Sequence, residues 1–432
     1  MNFRLIFNNA KWIIICKVLQ SVLQLVIGML CARYLGPSNY GLINYAASVF
    51  AFVLPITKLG FDASLVNEYV RHPEKEGEIM GTSLVMNLVS ALFSFGLVTA
   101  FVMTVNGNEK ETIIVCLLYS FLLLFQACEM TQYWFQSKLQ SKYASISSLV
   151  AYMFVSVYKI YILVAEKGVR WFAVSHVIEV AIISILLIIC YINAGGKKLS
   201  FSVSLGKQML RNSQYYIWSG LMVILFQQTD RIMLKIMFDE TETGYYSAAL
   251  TCIGITAFVF AAVIDSARPS ILGGYKVSMV VFEKRMTLLF SIVAFLSLGQ
   301  SLFMTLFANP IISILYGSEY LHSVSVLKIS VWFVTFGYYG MVRNIWILAE
   351  GKQKWLLPIN IMGAIINIVG NAVLIPLFGA NGAALATVIT QFFTNFVLCF
   401  LIRSMRPVAR MMICSLNPKC LLQYFKTIKK SS

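Results

Sequence analysis

Stretches of about 20 residues, almost free of charge, recur along this chain from Trp12 to Ile402, and that is the length an α-helix needs to cross a hydrocarbon core roughly 30 Å thick. Leu288–Phe307 and Ile182–Ile192 are continuous apolar runs. They lack the polar–apolar alternation, in segments of about ten residues, of a membrane β-barrel. Of the 432 residues, 59% are hydrophobic and 12% charged, against roughly 25% charge in a soluble domain. A water-soluble fold could not bury that much apolar surface, so the expected class is all-α integral membrane.

The pattern predicts about twelve transmembrane helices, roughly at 11–34, 38–60, 79–105, 112–136, 143–165, 170–192, 215–238, 245–267, 286–309, 323–349, 357–378 and 381–402. Gly36-Pro37-Ser38 and Gly379-Ala380-Asn381-Gly382 supply tight turns between antiparallel spans. With the N-terminus in the cytoplasm, about 23 of the Lys and Arg residues fall in inside segments and about 3 (Lys110, Lys167 and Arg170) outside. That bias predicts cytoplasmic N- and C-termini and an even number of spans. It also accounts for the net charge of +16 without a nucleic-acid partner. The N-terminal apolar run is interrupted by Lys17 and continues to Tyr34 with no small-residue cleavage site, so it is expected to be the first span.

The long segment 193–214 separates six expected spans from six. The expected domains are 1–192, a linker 193–214, a second lobe 215–402 and a basic tail 403–432. Weak internal symmetry supports two lobes: Trp134, Lys142 and Tyr143 match Trp346, Lys354 and Trp355 at one offset, and Gly41 and Ala46 match Gly244 and Ala249 at another. The segment Phe61–Gly77 begins apolar and ends charged, as an interfacial helix would. Nine cysteines form no CxxC pair, and neither a disulfide framework nor a metal site is expected. No P-loop, HExxH or GxSxG occurs. No catalytic residues, cofactor or enzyme activity are expected.

Four segments in order resemble one family. They are Ala32-Arg33-Tyr34-Leu35-Gly36-Pro37-Ser38-Asn39-Tyr40-Gly41; Thr229-Asp230-Arg231-Ile232-Met233-Leu234 with Gly244-Tyr245-Tyr246-Ser247-Ala248-Ala249; Leu315-Tyr316-Gly317-Ser318-Glu319-Tyr320; and Ile375-Pro376-Leu377-Phe378-Gly379-Ala380-Asn381-Gly382. Together they are similar to motifs of the O-antigen (Wzx-type) flippases of the polysaccharide transporter family, in the superfamily that also holds the multidrug MATE exporters and the lipid II flippase. The resemblance implies two six-helix lobes around a central cavity in the bacterial inner membrane. It implies a polyprenyl-diphosphate-linked oligosaccharide as cargo, transport by ion-coupled alternating access, and an O-antigen polymerase and a chain-length regulator as partners beside membrane lipids.

Such a cargo needs a polar, cationic path, and polar residues inside spans face cavities or partners because lipid disfavours them. Span seven carries Gln227, Arg231 and Lys235 on one stripe. Span ten carries Lys328, Trp332, Phe336, Tyr339 and Arg343, which combine cations for phosphate with rings for sugar faces; snorkelling to the headgroups is the plain alternative for the two cations. Span eleven offers Asn367 and Asn371, span twelve Gln391, and span one Lys17. Glu129, Glu179 and Asp230 are the candidate ion-coupling carboxylates; service as buried partners of Lys159 or Lys58 competes with that role. A MATE-like small-molecule/ion antiporter would favour acidic cavity residues, and a membrane glycosyltransferase or polymerase would need a large extramembrane loop.

Overall fold

Helices supply all the regular structure in the computed structural model, which describes residues 3–417. The tail lysines Lys419, Lys426, Lys429 and Lys430 lie outside the described residues. The helices are inside-out by the standard of a protein in water. Glu76–Val105 buries Ser83, Asn87, Ser90 and Ser94 while Val89 and Phe93 are 63% and 60% exposed. Each large apolar side chain left in water forgoes about 1.5–3 kcal/mol of burial. Rows of them on nearly every long helix require hydrocarbon as the solvent.

Nine helical stretches among the described residues are long and apolar enough to cross a membrane. Two of these are double. Phe3–Lys58 breaks at Gly36 (φ 68°) and Leu356–Phe392 breaks at Gly379 (φ 55°), a left-handed backbone that glycine adopts without strain. Val203–Met237 is long enough, at 35 residues, but more polar. Counted this way the described residues carry about twelve spans.

The described residues form two compact units, Met1–Gln228 and Thr229–Ser432, divided inside the helix Val203–Met237. That helix begins well before residue 215 because Leu205, Met209 and Ser213, four residues apart, bury one face.

In the first unit, Phe61–Arg71 is a short amphipathic helix that buries Phe61, Leu65 and Tyr69 against a core containing Trp134, Phe135 and Tyr191. Residues 194–202 form a strap across the start of Glu76–Val105. Ser200 N–H donates to Gly77 O at 3.1 Å, Ser202 N–H to Thr82 Oγ1 at 3.1 Å, and Lys197 Nζ to Pro73 O at 3.1 Å. Gly77 and Gly81 are the seat of this strap, since a methyl group on either would collide with the backbone oxygen of Lys198 or Ser200.

The second unit packs around Phe290, Tyr339 and Trp346. The hairpin at Gly379 is close enough that a Cβ on Gly370 would meet Ala386 Cβ at 3.2 Å. A π-turn, Phe393–Val397, interrupts the last span, and the amphipathic helix Arg406–Ser415 follows it. Ser415 ties that helix back to the core through Ser291 Oγ (3.0 Å) and the Tyr339 hydroxyl (3.0 Å).

Candidate functional site

Two polar centres stand out, one inside each unit. In the second unit, Asp230 near the end of Val203–Met237 is buried at 5% exposure and is the hub of a four-donor nest. The Tyr246 hydroxyl donates to Oδ2 at 2.5 Å and Thr387 Oγ1 to the same oxygen at 2.7 Å. Asn367 Nδ2 and Asn371 Nδ2 donate to Oδ1 at 3.0 and 2.6 Å. The helix Glu240–Gly254 holds Tyr246 in place. It starts on an Asp239 cap, whose Oδ1 accepts Glu242 N–H at 2.8 Å. The hairpin at Gly379 brings the two asparagines and Thr387 to the same point from its two arms. A buried carboxylate needs this many donors to stay in a low-dielectric interior. One polar atom of the nest is left over: Asn371 Oδ1 is buried and has no donor.

The cationic stripe beside Asp230 divides. Gln227 is exposed. Arg231 is half-buried, with Nε donating to Ser247 Oγ at 3.0 Å. Lys235 is buried and pairs with Glu240 at 3.4 Å. Of the expected span-ten face, Lys328 and Trp332 are exposed, whereas Arg343 is buried at 3%. Arg343 Nη1 donates to the Thr394 carbonyl at 3.0 Å, inside the π-turn, and Nη2 to Asn344 Oδ1 at 3.2 Å. A π-turn leaves carbonyls without their usual helical donors, and the guanidinium supplies one. Its Nε has no acceptor. Gln391 Oε1 accepts Asn395 Nδ2 at 2.5 Å. Lys17 is exposed on the first helix. The structure therefore brings Asp230, Asn367 and Asn371 together and holds Arg343 at the bulge.

The first unit contains a partly open cavity of about 470 Å³, inside the range of small-ligand sites. Five helical segments contribute to its wall. Lys159 and Tyr152 come from Lys142–Val164, Glu179 and His176 from Val169–Asn193, and Tyr119 and Gln126 from the rod 110–137. Spacings of seven residues (152 to 159) and three (176 to 179) put each pair on one helical face. Glu129 lies outside the lining and accepts the Gln126 amide. Lys159 is the residue that sequence reasoning undervalued, since it entered only as a possible partner for an acid. Its signal was a lone lysine deep within the run 143–165. Among the described residues no group of three or more His, Cys, Asp or Glu is placed to hold a metal ion.

Residues 6–272 match the family described as "Polysaccharide biosynthesis protein". The capsular polysaccharide biosynthesis protein CapF of Staphylococcus aureus is 21% identical over 393 residues, which covers 89% of this chain and 96% of CapF. Among solved structures, the lipid II flippase MurJ in an inward closed conformation aligns with a TM-score of 0.74 at 15% identity, over 96% of this chain and 92% of MurJ. An inward-facing multidrug resistance MATE transporter aligns with a TM-score of 0.69 at 14% identity, over 91% of this chain and 95% of its own. At these identities the two structural likenesses speak to fold alone.

Proposed function

Since the chain belongs to the polysaccharide biosynthesis protein family, we propose that it is a flippase that carries a polyprenyl-diphosphate-linked oligosaccharide across the bacterial cytoplasmic membrane. The observation that carries this reading is the family match on a helical, multi-span chain whose fold is that of a lipid II flippase. The capsular relative supports a surface-polysaccharide repeat unit as cargo. The four sequence motifs point more narrowly to an O-antigen unit. In this reading both termini are cytoplasmic, and the polymerase and chain-length regulator that consume the exported unit are the partners.

Alternating access needs a driving force, and Asp230 is the acid best built to supply it. It is buried and its oxygens are held by four neutral donors. Asn371 Oδ1 in the same nest is buried without a donor, which leaves an acceptor for a coupling ion. Arg231, Lys328 and Trp332 are the residues we assign to the cargo head.

The test is deletion of the gene. Lipid-linked repeat units should accumulate on the cytoplasmic side while long surface chains vanish, and the chain that vanishes, O-antigen or capsule, identifies the cargo. Intact surface chains with a lost tolerance to small toxic compounds would favour the antiporter reading instead.

A further inference from the structure

We propose that the cavity inside the first unit is a subsite for an acidic sugar, which sets its carboxylate on Lys159 and its ring against Tyr119 and Tyr152. The inference rests on the flippase reading for the kind of molecule that arrives, and on the cavity itself for the chemistry.

Lys159 is 8% exposed and lines the cavity. Its ammonium makes no hydrogen bond or ion pair with any described residue. The nearest interactions are the Tyr152 ring at 5.7 Å and the longer-range attraction of Glu179. The neighbouring groups are similarly uncommitted. Among the described residues, neither the Glu179 carboxylate, the His176 ring nitrogens nor the hydroxyls of Tyr119 and Tyr152 have a hydrogen-bond partner. Tyr119 and Tyr152 are themselves 8% and 3% exposed. Polar groups inside a protein are nearly always hydrogen-bonded. Five that line one cavity without a hydrogen bond to the protein, with His176 and Glu179 only partly buried, have the character of a binding site rather than a packing core.

The charge count selects the ligand. Diphosphates are gripped by clustered arginines with forked donors, and this cavity has one lysine opposed by one carboxylate. A single negative charge fits the lysine. Glu179 accepts hydroxyl hydrogen bonds, the tyrosine hydroxyls and the Gln126 side chain serve further hydroxyls, and the phenol rings offer flat apolar faces to sugar C–H bonds. A monoanionic sugar such as a uronic acid satisfies all of these at once.

The experiment uses the full chain in lipid nanodiscs and reads ligand binding by saturation-transfer NMR. The probes are free glucuronate, glucose and acetate. Glucuronate should bind at least about ten-fold more tightly than glucose, the effect expected of one charge-assisted contact, and more tightly than acetate. Lys159→Gln should erase the preference over glucose, Lys159→Arg should keep most of it, and Glu179→Gln should tighten glucuronate by removing an opposing charge. A thermal melt of each variant checks that it is folded. Equal binding of glucuronate and glucose overturns the proposal, as does a preference that survives Lys159→Gln. Acetate binding as well as glucuronate would leave a bare anion hole and overturn the sugar assignment. These readings need no transport. A gene deletion that spares surface chains would sink the flippase reading alone, and failed glucuronate binding beside a positive deletion phenotype would sink the subsite alone.

Discussion

Glu242 Oε2 accepts the backbone N–H of Ala380 at 2.6 Å, so a carboxylate from the start of one helix caps the turn between the two arms of the last hairpin. Gly379, just before the cap, sits at φ 55°, and a Cβ there would run into the same carboxylate. The hairpin carries Asn367 and Asn371 on one arm and Thr387 on the other. Its turn geometry therefore sets the Asp230 nest.

Glu242→Ala should remove one charge-assisted hydrogen bond, about 1.5–3 kcal/mol of local stabilisation. Differential scanning fluorimetry in detergent should show a melting temperature lowered by several degrees. Gly379→Ala should do at least as much harm, because it adds left-handed strain to the clash. Glu242→Gln should recover part of the loss. Unchanged melting in both Glu242→Ala and Gly379→Ala would show that the turn does not depend on the cap.

Asp230 separates structure from transport. Asp230→Ala takes the shared acceptor from four donors: the Asn367 amide is stranded, at about 1–3 kcal/mol, while Thr387 keeps the Ala383 carbonyl, Asn371 keeps Asn367 Oδ1 and Tyr246 keeps Thr387 Oγ1, and the amount of folded protein should fall. Asp230→Asn keeps one acceptor oxygen and the side-chain volume. It should insert and melt near the wild type but export few repeat units. Surface-polysaccharide gels from a complemented deletion strain, read beside membrane protein levels, give the answer. Normal export by folded Asp230→Asn would remove Asp230 from the coupling role.

The class of fold was legible in the sequence because membrane helices announce themselves locally, through runs of apolar residues and glycines at turns such as Gly36 and Gly379. The polar interior was legible only by residue. Asp230, Asn367 and Asn371 each read as unusual within a span, but their meeting depends on long-range packing that no local pattern encodes. Arg343 looked like one member of a face shared with Lys328 and Trp332. Its burial depends on a π-turn fifty residues later, which local spacing does not reveal. Lys159 was hidden for the opposite reason: one lysine in an apolar run carries no spacing to interpret. The strap at 194–202 was invisible because its seat is made by what Gly77 and Gly81 lack.

That strap makes its own prediction. Gly81→Val should lift residues 198–200 from the start of Glu76–Val105, since the added side chain meets the Ser200 backbone. Lys197 and Lys198 are exposed, and loosening them should expose the chain to trypsin. Limited proteolysis should cut Gly81→Val at 197–198 several-fold faster than the wild type, with Ser200→Ala, which keeps the backbone bond to Gly77, unchanged. Equal cutting rates in Gly81→Val and wild type would mean the strap is held elsewhere.

The cationic path to the cargo rests on Arg231 and Lys328, which differ in setting. Arg231 is half-buried on Ser247, so Arg231→Ala should lower both export and, slightly, the melting temperature. Lys328 is exposed, so Lys328→Ala should leave folding intact and act on export alone. Arg231→Lys keeps the charge but loses the forked geometry that suits phosphate, and should export at an intermediate level. If the charge merely anchors the helix ends at the headgroups, Lys328→Ala should shift neither export nor the accumulation of lipid-linked units. Normal surface chains in folded Arg231→Ala and Lys328→Ala together would take the cargo head away from both residues.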